Sequence, residues 1–188
     1  MDASEKLPHL LLEKTDLENV PDARVPEGYV LRNYRPGDEE GLARIYAAGG
    51  LSCDTRESVR ERIIEREYFR PKRLFLVERE GVIVGTAIAW EEAGDPPAGY
   101  LHMVAVSPEA RGQGLGTLLT VAAIRQNRRE GFTVQRLHTD DFRLPAIRLY
   151  LDLGYRPVIS HESHPARWQA IGETLGRPDL LDGVRRQC

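Results

Sequence analysis

Val104-Ala105-Val106-Ser107-Pro108-Glu109-Ala110-Arg111-Gly112-Gln113-Gly114-Leu115-Gly116 is a short apolar run, then a turn, then three alternating glycines before an apolar helical pattern. The order predicts a strand, a bare loop and a helix start. The first amides of a helix have no partner inside it and stand at the positive end of its dipole, which suits phosphate. Glycine removes the side chains that keep a pyrophosphate away from backbone. The stretch therefore predicts a site for a cofactor that carries a diphosphate.

Outward from this stretch, Leu115, Leu118, Leu119, Ala122 and Ala123 carry a helix to about Glu130, with Arg128 and Arg129 at its negative end and Gly131 as its stop. Tyr100–Val106 is the strand before the loop, and Gly94-Asp95-Pro96-Pro97 is a loop before that strand. Leu74–Val77 and Val82–Ile88 flank Glu80-Gly81 and predict a hairpin. Further upstream, Tyr29–Tyr34 alternates like a strand, and Asp38 is the expected cap of a helix with Leu42, Ile45 and Tyr46 on its apolar stripe. Thr55 is the expected cap of a second helix reaching about Tyr68, with Val59 and Ile63 inward and an Arg/Glu-rich solvated outer face.

Downstream, Val134–Thr139 is a strand, and Pro145 opens a helix striped by Ala146, Leu149, Tyr150 and Leu153 and ended by Gly154. Tyr155–Ile159 is a last strand, and a helix from about Pro165 to Leu175 precedes a basic end. The order β-α-α-β-β-β-α-β-α-β is α/β with a mixed sheet, since a doubly wound fold needs a helix between every pair of strands. Residues 1–28 are expected to be an N-terminal extension broken by Pro8, Pro21, Pro26 and Gly28, with Leu7 and Leu10–Leu12 offering an apolar docking patch. Residues 29–159 form the domain, and 160–188 extend it.

The chain of 188 residues suffices for one well-filled domain, and its 41% hydrophobic and 29% charged composition is ordinary for a globular protein. A formal net charge of −3 gives no support to nucleic-acid binding. No apolar stretch approaches the roughly 20 residues of a membrane span, and Leu10–Leu12 lacks a basic start and a small-residue cleavage site, so no signal peptide and a cytoplasmic protein with no membrane partner are expected. Cys53 and Cys188 are too far apart for a disulfide framework or metal spacing. His161-Glu162-Ser163-His164 lacks i, i+4 histidines and a third ligand, so no metal is expected.

The glycine loop has three readings. A nucleotide-triphosphate loop needs Lys and then Ser or Thr after its last glycine, and Gly116 is followed by Thr117 and Leu118. A dinucleotide fingerprint needs its third glycine one position later and its first directly after the strand, although Asp140 imitates the ribose-binding acid. The third reading is an acyl-coenzyme A site. Arg111-Gly112-Gln113-Gly114-Leu115-Gly116 fits Arg/Gln-x-x-Gly-x-Gly/Ala, and Pro145-Ala146-Ile147-Arg148-Leu149-Tyr150 followed by Gly154-Tyr155 stands at a matching separation. With both elements the chain, over roughly 29–159, resembles the GCN5-related N-acetyltransferase (GNAT) superfamily. That resemblance implies a mostly antiparallel central sheet with a splayed strand pair, flanked by helices.

The resemblance also implies a mechanism: direct transfer of an acetyl group from acetyl-CoA to an amine, with no covalent enzyme intermediate. Amides of Gln113, Gly114, Leu115, Gly116 and Thr117, within the loop begun by Arg111 and Gly112, hold the pyrophosphate. The main chain of Val104, Ala105 and Val106 borders the pantetheine, with Val104 and Val106 pairing to it like an added strand. A backbone amide near the thioester carbonyl stabilises the oxyanion. Ala146 belongs to the same cofactor-binding motif. Where many members have an Asn that contacts the pantetheine, this chain has Arg143, whose cation reaches a phosphate or an acidic substrate, or faces solvent.

Tyr150 matches the tyrosine that protonates the departing thiolate. His102 resembles the strand histidine that acts as base through water in arylalkylamine N-acetyltransferases; its other reading is a half-buried histidine satisfied by a neighbour. Tyr100 stands where those enzymes have a further histidine. Asp140 and Asp141 either attract a cationic amine or cap the next helix, the role their position favours. The acceptor, a small-molecule amine by expectation, meets Tyr46, Cys53, Tyr68, Trp90, Glu91 and Glu92 or the C-terminal His161, His164 and Trp168. A protein or peptide acceptor, and a non-catalytic acyl-CoA sensor, are the alternatives, and the chain is a monomer or homodimer.

Overall fold

A two-residue turn sets the register of the larger of two units. The computed structural model describes residues 7–92, 98–182 and 184–186, with backbone alone for Glu92, Arg185 and Arg186. It divides into residues 16–135 and residues 1–15 with 136–188. The expected loop at Gly94–Pro97 and Cys188 lie outside the described residues. Both units combine strands and helices, and the strands of the larger one pair antiparallel.

In unit 16–135, strands β2 (Tyr29–Asn33), β3 (Leu74–Arg79), β4 (Val82–Glu92) and β5 (Ala98–Val106) pair antiparallel in that order. Glu80 (φ 53°) and Gly81 (φ 77°) both take positive φ between the Arg79–Val82 pair. This is the backbone of a type I′ hairpin turn, whose twist matches the strands. Helix α1 (Glu39–Ala48) buries Leu42, Ile45 and Tyr46 as their spacing predicts.

Asp38 does not cap α1 with its side chain. Its carboxylate is taken by the Arg32 guanidinium at 2.7 and 2.8 Å and by the Arg35 N–H. Thr55 does cap α2 (Arg56–Val59), in a reciprocal box with Ser58. That helix widens into a π turn over Arg60–Ile64 instead of running to Tyr68. Leaving the helix there lets Phe69 return edge-on to Tyr34, with ring centroids 5.4 Å apart.

Ile88, Met103 and Ala105 join the core under α1 and α2. The opposite face meets α3 (Leu115–Arg129): a side chain at Gly85 would touch Leu119, and one at Gly99 would collide with Asn127.

The second unit contains β1 (Leu10–Lys14), β6 (Gln135–Thr139, from Arg136), β7 (Arg156–Ile159) and β8 (Arg185–Arg186), ordered β6-β1-β7-β8. Pairing of β1 with β7 is antiparallel, and that of β7 with β8 is parallel. β1 falls inside the stretch read as an extension, and all five of its residues are buried, Glu13 and Lys14 included. Glu13 stands opposite Arg156 and pairs with Arg136 at 2.8 Å, which offsets the cost of burying its charge. Helices α4 (Leu144–Asp152) and α5 (His164–Leu175) complete the unit.

Candidate functional site

Strand β5 changes which edge its amides face halfway along. Gly99 N–H donates to Val134 O, away from β4, whereas Ser107 N–H donates to Val84 O, toward β4. Hydrogen-bonding sides alternate along an antiparallel strand, so residues 99 and 107 face the same way unless one residue is inserted. The insertion is at Met103: its φ is 51°, and the ladder jumps from Ile88–His102 to Thr86–Ala105. This is a β-bulge. Beyond it Ala105 turns its main chain to Thr86, and Val104 and Val106 present theirs to the edge away from β4. The bulge turns away from β4 the two residues, Val104 and Val106, that the resemblance implies for strand-like pairing, and leaves Ala105 between them facing β4.

The loop that follows is bare. A 3₁₀ turn at Pro108–Ala110 leads to exposed Arg111, Gly112 and Gln113. Gly112 and Gly114 take φ of 77° and 74°, the left-handed region where a Cβ costs about 1–2 kcal/mol. Gly114 is the N-cap of α3, so no side chain caps the helix, and its first turn holds no acid. The first intrahelical bond of α3 runs from Leu118 N–H to Gly114 O at 3.0 Å. The amides of Leu115, Gly116 and Thr117 therefore have no acceptor within the helix. By contrast α2 closes its own start with Thr55 and Ser58, and before α1 Glu39 accepts from Gly37 N–H at 3.1 Å. An open, glycine-lined helix start beside two outward strand amides fits a diphosphate on an extended amide-bearing arm.

His102 is half-buried between two rings, with centroids 6.1 Å from Trp90 and 5.9 Å from Tyr100. On the same face of the sheet lie Tyr46, fully buried, and Cys53, buried at φ 76°. Burial pushes the Tyr46 phenol above its ordinary value, and it pushes the Cys53 thiol up. Tyr68 is exposed, apart from this group, and Glu91 is engaged by Arg73 at 2.7 Å. The side chain of Glu92 lies outside the described residues.

In the other unit, Tyr150 is placed by the end of its helix. Gly154 (φ 86°) donates to Leu151 O, and Tyr155 N–H donates to Tyr150 O, each at 3.0 Å. These two bonds form a Schellman motif, with Tyr150 and Tyr155 as its apolar pair at 5.8 Å between ring centroids. Tyr150 is 7% exposed; Tyr155 is fully buried, and its phenol is held far above its ordinary range by that burial. The buried stripe of α4 is Ile147, Tyr150 and Leu151; Ala146 and Leu149 are only half-buried, a shift from the predicted stripe.

Arg143 is the N-cap residue of α4, and its Nε donates to Asp140 at 3.2 Å. Asp140 also meets His9 Nδ1 at 2.8 Å, and Asp141 binds Arg167 at 2.9 Å. Burial works to raise the Asp140 carboxyl, but the hydrogen bonds from His9 and Arg143 hold it below its usual range. Neither aspartate caps α4: both carboxylates are spent on cations, which corrects the capping expectation. His164 and Trp168 are fully buried on α5, and His161 bonds Ser163 at the surface. Among the described residues no group is arranged to hold a metal ion, and no helix is long and apolar enough to cross a membrane.

The acetyltransferase (GNAT) family model matches residues 40–155. A mycothiol acetyltransferase of Thermomonospora curvata is 34% identical over 143 residues, 72% of this chain and 47% of that protein. Among solved structures, a GCN5-related N-acetyltransferase from Sphaerobacter thermophilus superposes with TM-score 0.62 at 26% identity, over 80% of this chain and 49% of that one. The aminoglycoside N-acetyltransferase AAC(6')-Iy in complex with CoA shares the fold, with TM-score 0.56 at 20% identity over 70% of this chain and 91% of that one. The chain spans about half the length of the curated relatives it matches.

Proposed function

The chain belongs to the GNAT acetyltransferase family, and on that premise we propose that it moves an acetyl group from acetyl-CoA to the nitrogen of a small primary amine. The observation that carries this reading is the uncapped start of α3 behind two left-handed glycines, following the strand whose Val104 and Val106 amides face away from β4. Bound there, acetyl-CoA supplies an activated thioester. The amides of Gln113 to Thr117 hold the diphosphate, with Arg111 at the mouth of the loop. Arg143 and Ala146 stay with the cofactor on the strength of their motif; the bond to Asp140 leaves Arg143 a partly neutralised cation.

An amine attacks only as the free base, so a group must take its proton. His102 is the proposed base, directly or through water. Tyr150 Oη is the proposed donor to the departing sulfur, and the Schellman motif holds it in one place for that task. The family relatives whose names mention mycothiol and aminoglycosides support a small-molecule acceptor. The test is release of free thiol from acetyl-CoA in the presence of a mixed amine panel, with coenzyme A affinity measured in parallel by calorimetry. Thiol release that requires an amine is the expected result. Tight coenzyme A binding with no amine-dependent release would leave a sensor and not an enzyme.

A further inference from the structure

Three rings converge on one face of β4 and β5, and the proposed function uses only His102. Trp90 and Tyr100 stand directly opposite each other in the ladder, and His102 lies two residues on. The planes are tilted by 49° and 51°, so the rings form a curved wall and not a stack. All three are half-buried. Behind the wall Trp90 packs on the α1–α2 core, as do Leu51, Ile64 and Phe69.

The wall is also held rigidly. Fully buried Asn127 fills the space that a side chain at Gly99 would need, its Nδ2 only 1.9 Å from where that Cβ would stand. The same Nδ2 donates to the Trp90 carbonyl at 3.2 Å. Preorganised aromatic faces bind cations within about 6 Å of a ring centroid, tryptophan best of all. The neighbouring acid Glu91 is committed to Arg73, and among the described side chains the three ring faces are what this wall offers to positive charge.

We infer that Trp90, Tyr100 and His102 receive the acceptor as an ammonium ion carried on an apolar carbon chain, held by cation–π contact beside the proposed base. This deepens the proposed acetyltransferase reading and rests on it. Apolar surroundings favour such a chain over a polyhydroxylated amine, because each hydroxyl buried without a partner costs about 1–3 kcal/mol.

Choline and its neutral isostere 3,3-dimethylbutan-1-ol test the charge requirement, since neither can be N-acetylated. Binding is read by titration calorimetry, which reports alike on the unsubstituted protein and on variants that lack Trp90. Choline is expected to bind about tenfold tighter than the alcohol and to compete with n-hexylamine, the difference a cation–π contact of about 1.4 kcal/mol produces. Trp90→Leu is expected to abolish that preference, Trp90→Phe to retain part of it, and both to keep native coenzyme A affinity. Hexylamine is expected to exceed glucosamine in kcat/KM by at least about tenfold.

Equal binding of choline and the alcohol overturns the inference, as does a preference for glucosamine. If Trp90→Leu fails to fold, the comparison in the unsubstituted protein still decides. Failure to bind coenzyme A would sink the acetyltransferase reading, whereas choline selectivity without it would leave the cation wall standing.

Discussion

The start of α3 and the end of α4 treat the same problem in opposite ways. Every helix end leaves backbone groups without partners. At the end of α4 the chain satisfies them itself: Gly154 turns left-handed, Gly154 and Tyr155 return their amides to Leu151 and Tyr150, and two tyrosine rings seal the junction. At the start of α3 Gly114 turns left-handed too, but the amides it exposes are left for something else. A left-handed glycine thus serves closure in one place and access in the other. On the proposed reading, the closed end fixes a side chain for chemistry and the open one binds.

That contrast can be broken most severely at Tyr150. Tyr150→Phe keeps the ring contact with Tyr155 and removes only the phenol proton, so turnover is expected to fall about 10²-fold with coenzyme A affinity unchanged. Unaltered kcat would strip the closed end of its chemical role. Next in size, Gly114→Glu puts strain and a negative charge at the open start. Calorimetry should show coenzyme A binding weakened at least about tenfold, equivalent to about 1.4 kcal/mol, in a protein that still folds. Native affinity would mean that α3 is not the binding end.

Two stability measurements sharpen the comparison further. Gly154→Ala forces a side chain into φ 86° and toward Lys14 Nζ at 3.2 Å. It should cost about 1–2 kcal/mol, seen as a fall in Tm of about 2–8 °C. A smaller loss of about 1 kcal/mol is expected for Thr55→Ala, which opens the capped start of α2. Coenzyme A affinity should not change in Thr55→Ala, because an open helix start binds only where glycine has cleared the approach.

Much of this contrast was legible in the residues. Gly131 and Gly154 end their helices as read, Thr55 caps, and Glu80-Gly81 turns the hairpin, because each of these is decided within a few residues by backbone conformation and a nearby donor or acceptor. The charges were less legible. Asp38, Asp140 and Asp141 are all expected as caps, and all three are claimed by arginines, from Arg143 three residues on to Arg167 on another helix. The five residues of β1 carry no alternation and end in Glu and Lys, so nothing local marks them as a buried strand.

What the sequence determined by itself is the set of local events: where strands and helices stop, which residues can turn left-handed, and that a glycine-lined helix start follows an apolar strand. Only the tertiary structure decided the rest. It placed β1 against β7, whose residues lie more than a hundred positions away. It put the bulge at Met103, which turns Val104 and Val106 outward, and it brought Trp90, Tyr100 and His102 onto one wall. The physical reason is register. Which edge an amide faces and which rings meet across a ladder depend on the partner strand and on a single inserted residue, and neither is written in the strand itself.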